Sequence, residues 1–352
     1  MSQDFARRDF LKASLLGATG AALAAGAACN GTASRTSCNR QVGDAHAGGV
    51  LALAIDGGGT LLASGGGDAV IKLWHLPDGA LLGMLPGHAG GVSALAFSPG
   101  GTPVASGGAD GAVKLWSLPD GALLATLTGH TLPVASVAFS PDGRWLASGS
   151  ADATIKLWNM ADGSLLATLA GHALAVHAIA ISPDGAYLAS SSEDRTVMLW
   201  SLPDGTPLGA IATEPSWVLA LALSLDGTLL ATGCADDSVV LRSLPEGAKT
   251  RSLLWHTNRV GALALTPDQA LLASGSLDST INLWRTANGA RLHTIEDHGD
   301  AVNALAMTPD GALLVSGSSD RSIRLWRLPD GRYLGSASDP TLPVRTVVSF
   351  SC

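Results

Sequence analysis

The chain has 352 residues, enough for two average domains or one large repeat array, and its 47% hydrophobic and 14% charged residues supply ample material for a core. The formal net charge is −8, and removing the first 28 residues, with three of the basic and two of the acidic side chains, leaves about −9. Such a surface repels phosphate backbones and argues against nucleic acid as a partner; no apolar run beyond residue 28 is long enough to cross a bilayer.

The first element, residues 1–28, reads as an address. Ala6-Arg7-Arg8-Asp9-Phe10-Leu11-Lys12 precedes an uncharged stretch from Ala13 to Ala28. A basic start, an apolar middle and a small-residue end make a secretory signal. An amphipathic helix of the mature protein fits less well, because Gly17, Gly20 and Gly26 would each weaken it by roughly 1 kcal/mol relative to Ala and no polar face is present. The arginine pair followed by Phe10, Leu11 and Lys12 resembles a bacterial twin-arginine signal, which implies export of a folded protein to the periplasm or envelope. Ala22-Leu23-Ala24 and Ala25-Gly26-Ala27 both offer cleavage sites, while Gly26-Ala27-Ala28-Cys29 resembles a lipoprotein box that would acylate Cys29. That box prefers Leu where Gly26 stands, so cleavage and lipidation remain alternatives. Membrane contact is expected only through this signal or such a lipid anchor. Residues 29–45, rich in Ser, Thr, Asn and Gly, read as a polar tether.

From residue 46 onward a period of 42 residues governs the chain. His46, His88, His130, His172, His256 and His298 fall on one grid, with Glu214 in the vacant slot. Trp74, Trp116, Trp158, Trp200, Trp284 and Trp326 share it, with Arg242 in the vacant slot, and Asp68, Asp110, Asp152, Asp194, Asp236, Asp278 and Asp320 complete it. Seven units run from residue 46 to residue 338 without insertion or deletion, which is the signature of a repeat architecture. Each contains four short apolar runs bounded by turn signals. In the third unit they are Val134–Phe139, Trp145–Gly149, Thr154–Trp158 and Leu165–Leu169, with turns at Ser140-Pro141-Asp142-Gly143 and Met160-Ala161-Asp162-Gly163. Four antiparallel strands form one twisted sheet, which cannot bury both faces alone, so neighbouring sheets must stack. The expected fold is all-β: a seven-bladed propeller of four-stranded antiparallel blades.

The Gly-His pair, the Asp-containing turn and the aliphatic-Trp strand end at this period resemble the WD-repeat β-propellers over residues 46–338. One departure is that His75, Ser117, Asn159, Ser201, Arg285 or Arg327 follows Trp, and never Asp. The grid also carries Ser64, Ser106, Ser148, Ser190, Thr232, Ser274 and Ser316, four residues before each Asp. The resemblance implies a structural tetrad in each blade, in which Trp donates to Ser, Ser bonds to His, and His bonds to Asp. Its members are His88, Ser106, Asp110 and Trp116; His130, Ser148, Asp152 and Trp158; and His172, Ser190, Asp194 and Trp200 in blades two to four. Seven near-identical triads would make a strange enzyme, and imidazoles separated by whole blades cannot converge on one metal ion. No catalytic residue and no metal site is therefore expected. Neither is a cofactor, since there is no Gly-rich phosphate loop, zinc-type Cys spacing or haem attachment motif.

The fifth unit keeps Thr232 and Asp236 but holds Glu214 for His and Arg242 for Trp. Simple drift explains this, or else a compensated swap in which Arg242 pairs with Glu214 or Asp236, since a lone buried charge would be costly. The cysteines are Cys29, Cys38, Cys234 and Cys352. A ring must bring its ends together, and on that ground a Cys38–Cys352 disulfide is an expectation. Residues 339–352 read as a closing tail, in which Val344–Phe350 matches the first strand of a repeat with no unit after it.

Function is then left to positions that escape repetition. In the family resembled, the start of each innermost strand and the residue before the turn Asp face the narrow top rim. Blades one to three place Gly49, Leu51, Gly67, Gly91, Ser93, Ala109, Pro133, Ala135 and Ala151 there, a bland set. Blades four to seven place His177, Glu193, Trp217, Arg259, Asp300 and Asn303 there, and Trp and Arg are enriched at binding hot spots. The expected function is a non-catalytic scaffold, monomeric, binding a protein or peptide through that sector. The alternative is a propeller enzyme or a cofactor-carrying periplasmic protein, motivated by the export route, which often serves cofactor-loaded cargo.

Overall fold

Each 42-residue unit can pair its own strands but must find another sheet to cover its apolar faces, and this requirement shapes the molecule. In a computed structural model, which describes residues 38–342 and 344–349, the seven units form seven four-stranded antiparallel blades. Among the described residues there are thirty strands and no helix. Within every blade the strands neighbour one another in chain order, so each blade is one contiguous unit. Blade three consists of Val134–Phe139, Trp145–Ser150, Thr154–Asn159 and Leu165–Ala170, the last three one residue longer than the expected runs.

Burial follows position in the blade. The second strand of blade three is buried at all six residues, because a neighbouring sheet covers each of its faces. The outer strand of the same blade is mostly exposed. The core divides into clusters that each span two neighbours: Trp145, Ile155, Leu157 and Leu169 of blade three meet Val176, Leu188 and Trp200 of blade four. At the Ser140-Pro141-Asp142-Gly143 turn, the Asp142 carboxylate accepts the Ser140 hydroxyl at 2.6 Å and the Arg144 N–H at 3.1 Å. Gly143 takes the left-handed conformation at φ 70, the αL setting that glycine adopts at no steric cost.

The ring closes by packing. Val50, Leu62 and Trp74 of blade one lie against Val315, Ile323 and Leu325 of blade seven in one cluster. Buried polar links cross the same seam: Lys72 Nζ bonds Asp339 Oδ2 at 2.5 Å and Ala45 O at 2.8 Å, and Ala45 N–H donates to Arg321 O at 2.8 Å. Outside the blades, Cys38–Gly43 pairs antiparallel with Val344–Ser349, Cys38 lying opposite Ser349. Residues 38–43 therefore depart from the tether expected over residues 29–45: backbone pairing with a partner strand overrides their polar composition. Val344–Ser349, which matches a first strand in sequence, pairs with this N-terminal strand and joins no blade. The signal expected over residues 1–28, the acylation of Cys29 and the Cys38–Cys352 disulfide concern residues or side chains outside those described.

Candidate functional site

The repeated polar residues form a chain with one direction. Trp116 Nε1 donates to Ser106 Oγ at 2.8 Å, Ser106 Oγ meets His88 Nε2 at 2.7 Å, and His88 Nδ1 lies 3.0 Å from Asp110 Oδ2. A carboxylate can only accept, so the imidazole proton sits on Nδ1, and Nε2 takes the serine proton. Blades three and four repeat this through Trp158, Ser148, His130 and Asp152 and through Trp200, Ser190, His172 and Asp194, with all distances between 2.7 and 2.9 Å. Blades one, six and seven build the same chain. Burial pushes His88, His130 and His298 below the ordinary imidazole value of 6.5, outweighing the neighbouring carboxylates. Burial works to raise Asp152 and Asp194, but hydrogen bonds from Thr154 and His130, and from Thr196 and the Ala173 N–H, prevail and bring both to about 2. The arrangement has the connectivity of a hydrolase triad, but Ser106, Ser148 and Ser190 are wholly buried. No substrate reaches their hydroxyls, which are already engaged by an indole N–H. These residues tie the connection entering each blade to its second and third strands.

Blade five replaces the chain with a charge pair. Arg242 Nε and Nη2 both donate to Glu214 Oε1, at 3.0 and 2.6 Å, and Nη1 donates to Gly247 O at 2.9 Å. Both side chains are buried. Of the two partners considered for Arg242, the structure selects Glu214. Cys234, also buried in this blade, has its thiol pushed up to about 12 by burial and by the Glu214 and Asp236 charges, so it is inert as a nucleophile.

A central channel of about 260 Å³ is lined in each blade by the second residue of its innermost strand, Leu51, Ser93, Ala135, His177, Leu219, Gly261 and Asn303, so that His177 and Asn303 of the expected rim set reach it. The residue before the turn Asp is brought to this rim by a recurring backbone bond, such as Glu193 N–H to Ala175 O at 3.0 Å and Ala235 N–H to Trp217 O at 2.9 Å. In blade four that bond lets His177 Nε2 meet Glu193 Oε1 at 3.0 Å. Between blades five and six, the Arg259 guanidinium lies over the Trp217 ring, 5.1 Å from its centroid, and Trp217 is 39% exposed. Asp300 is exposed and its carboxylate accepts the Ala301 N–H at 2.7 Å. Asn303 is largely committed elsewhere, since its amide donates to Val50 O and to Ser319 Oγ, both at 2.9 Å, and so stitches blade seven to blade one. The six expected residues thus divide into two contact pairs, one exposed carboxylate and one seam residue.

Two features escaped the sequence reading. Trp255, 57% exposed, stands where blades two to four have Gly87, Gly129 and Gly171, and the Arg291 guanidinium lies 3.6 Å from its ring centroid. The Trp-for-Gly departure on the grid was the available signal. The buried Lys72–Asp339 pair left a fainter one, Asp339 standing one period after Asp297. Among the described residues no group of three or more His, Cys, Asp or Glu side chains is placed to hold a metal.

Seven contiguous four-stranded blades, six of them carrying the Trp-Ser-His-Asp chain, define a WD-repeat β-propeller. The WD domain, G-beta repeat, matches residues 37–75 and 79–117. The family described as IFT122 first beta-propeller matches residues 110–334, well over half of the chain, and the chain belongs to that family of WD-repeat propellers. No curated protein matches it.

Proposed function

We propose that the chain is a non-catalytic scaffold that binds a protein or peptide through the top rim of blades four to seven. One observation carries this reading: the Trp217–Arg259 stack, a half-exposed aromatic and a cation side by side on a rim that is bland in blades one to three. An indole stacked with a guanidinium offers a large contact area with little rotamer freedom left to lose. The His177–Glu193 pair and Asp300 add polar recognition beside it. A photo-crosslinking residue at Trp217 is expected to trap a discrete partner in native cells, whereas the same residue at Ala109 on the bland sector traps none. Equal yields from both positions would remove the rim of blades four to seven from consideration.

The same proposal places the propeller in a bacterial envelope as a monomer, delivered folded. It rests on Arg7, Arg8, Phe10, Leu11 and Lys12 and on the uncharged stretch after them. Arg7→Lys with Arg8→Lys should leave the protein in the cytoplasm on fractionation, and unchanged export would refute the address. The mass of the exported protein, with or without acyl groups on Cys29, decides between cleavage and lipid anchoring.

A further inference from the structure

The outer strand of every blade has one open edge, but that of blade five, Ala248–Leu254, differs from the rest in chemistry. All its residues except Leu253 are exposed, and it carries Lys249 and Arg251. The outer strands of blades two and three read Leu-Leu-Ala-Thr-Leu at the same place and hold no charge. Leu254, the last residue of the strand, and Trp255, just beyond it, are 69% and 57% exposed. The outer strand of blade six adds Arg291, stacked on Trp255, and His293, both exposed. Arg251 leans toward the same neighbour, donating to Ala287 O at 2.6 Å.

We propose that this edge of blade five is a docking site for an extended acidic peptide that adds as a fifth strand. Three observations select that occupant. Open backbone N–H and C=O groups reward a strand and offer nothing to a flat bilayer. Lys249 and Arg251 flank a bulge at Thr250, Lys249 opposite Arg242 and Arg251 opposite Leu241, so the edge presents one cation on each face of the sheet to carboxylates of an added strand. In a chain of net charge −8, an acidic segment is favoured where exposed cations cluster, as Lys249, Arg251 and Arg291 do here. Cations on an edge also discourage pairing between copies of a protein; a guard alone would not set Leu254 and a stacked Trp255 in the open beside them. The surface lies outside the channel rim and is independent of the partner proposed there.

The test uses the full chain and a labelled, end-capped heptapeptide, Glu-Val-Glu-Val-Asp-Leu-Phe, matching the strand's seven residues. Fluorescence anisotropy should show saturable binding. Lys249→Glu with Arg251→Glu should weaken it by about tenfold or more. Trp255→Ala, an exposed change that leaves the fold intact, should weaken it independently. Arg144→Glu on blade three should leave it unchanged. A peptide N-methylated on alternate backbone amides should not bind, because it cannot donate to the edge. The proposal is overturned by no saturation up to about 1 mM, by equal binding of the N-methylated peptide, or by indifference to both the charge reversal and Trp255→Ala. Binding of phosphatidylglycerol vesicles without binding of the peptide would overturn it in favour of a membrane surface.

Discussion

Ser106 gives its proton to His88 and accepts one from Trp116, so the chain holds only while the imidazole is neutral. Protonating Nε2 sets two donors against each other. Burial favours the same neutral form, and it holds His88, His130 and His298 below the ordinary imidazole value. A group depressed in the folded state contributes stability above its unfolded value, and that stability is lost as pH falls through the folded one. The histidines therefore act first, below about 6.5, and the Asp152 and Asp194 carboxylates follow between 3.8 and about 2. Both losses have the same sign. The melting temperature should be flat above about pH 7 and decline continuously on acidification; a maximum below pH 6 would contradict the neutral-imidazole chain. Blade five lacks the imidazole and answers to a different test. Removing either Glu214 or Arg242 leaves a buried charge unpaired and should cost about 3–5 kcal/mol, whereas Glu214→Leu with Arg242→Met should cost less than the sum of the single changes. Urea unfolding of the four proteins measures this, and additivity would mean that the ion pair contributes nothing. Both substitutions were visible as breaks in the repeat. Their pairing was not, because Asp236 is the nearer carboxylate in sequence and only the geometry sends the guanidinium to Glu214.

At the scale of strands and turns the sequence was most informative, because period-two apolar runs between Asp-Gly turns leave little freedom in register. All four strands of blade three start at the expected residues. The exception is the pairing of Cys38–Gly43 with Val344–Ser349: Cys-Asn-Arg-Gln-Val-Gly has no apolar alternation, and its partner lies at the far end of the chain. The rim was legible to a similar degree. Glu193 and Trp217 could be placed on it because the backbone repeats, but the stitching role of Asn303 depends on a carbonyl of another blade. Turn glycines give an element-scale prediction. Gly247 has φ +70, and a Cβ there would lie 2.5 Å from Ile211 O, while its own carbonyl accepts Arg242 Nη1. Gly247→Ala should cost about 2 kcal/mol or more, combining left-handed strain with displacement of the Arg242 contact. Gly83→Ala, in an outer strand with no atom near the new methyl, should be neutral or stabilising by about 0.4–1 kcal/mol through the unfolded state. Equal effects at the two sites would show that neither argument holds.

For the whole molecule, the decisive place is the seam between blades seven and one. Every blade is a contiguous unit, so no blade strand crosses the seam, and closure rests on side-chain packing, the polar links beside it and the pairing of Cys38–Gly43 with Val344–Ser349 outside the blades. In a ring whose blades contact only their neighbours, a weakened seam costs little elsewhere but opens the structure locally. Lys72 and Asp339 lie there at 4% and 2% exposure. Hydrogen bonds donated to Asp339 by Lys72 and by the hydroxyl and backbone N–H of Thr341 hold its carboxyl below the usual range against its burial. Asp339→Ala strands the Lys72 ammonium with a single carbonyl partner and should cost about 3–5 kcal/mol. Hydrogen exchange should then rise in Val50–Ile55 and Val302–Met307, the innermost strands on either side of the seam, before it rises in blades three and four. Lys72→Met with Asp339→Leu removes both charges and should recover most of the loss, as apolar replacements of buried pairs do. If exchange in the Asp339→Ala protein rises equally in all seven blades, the ring opens as one unit and the seam is no weaker than any other blade contact.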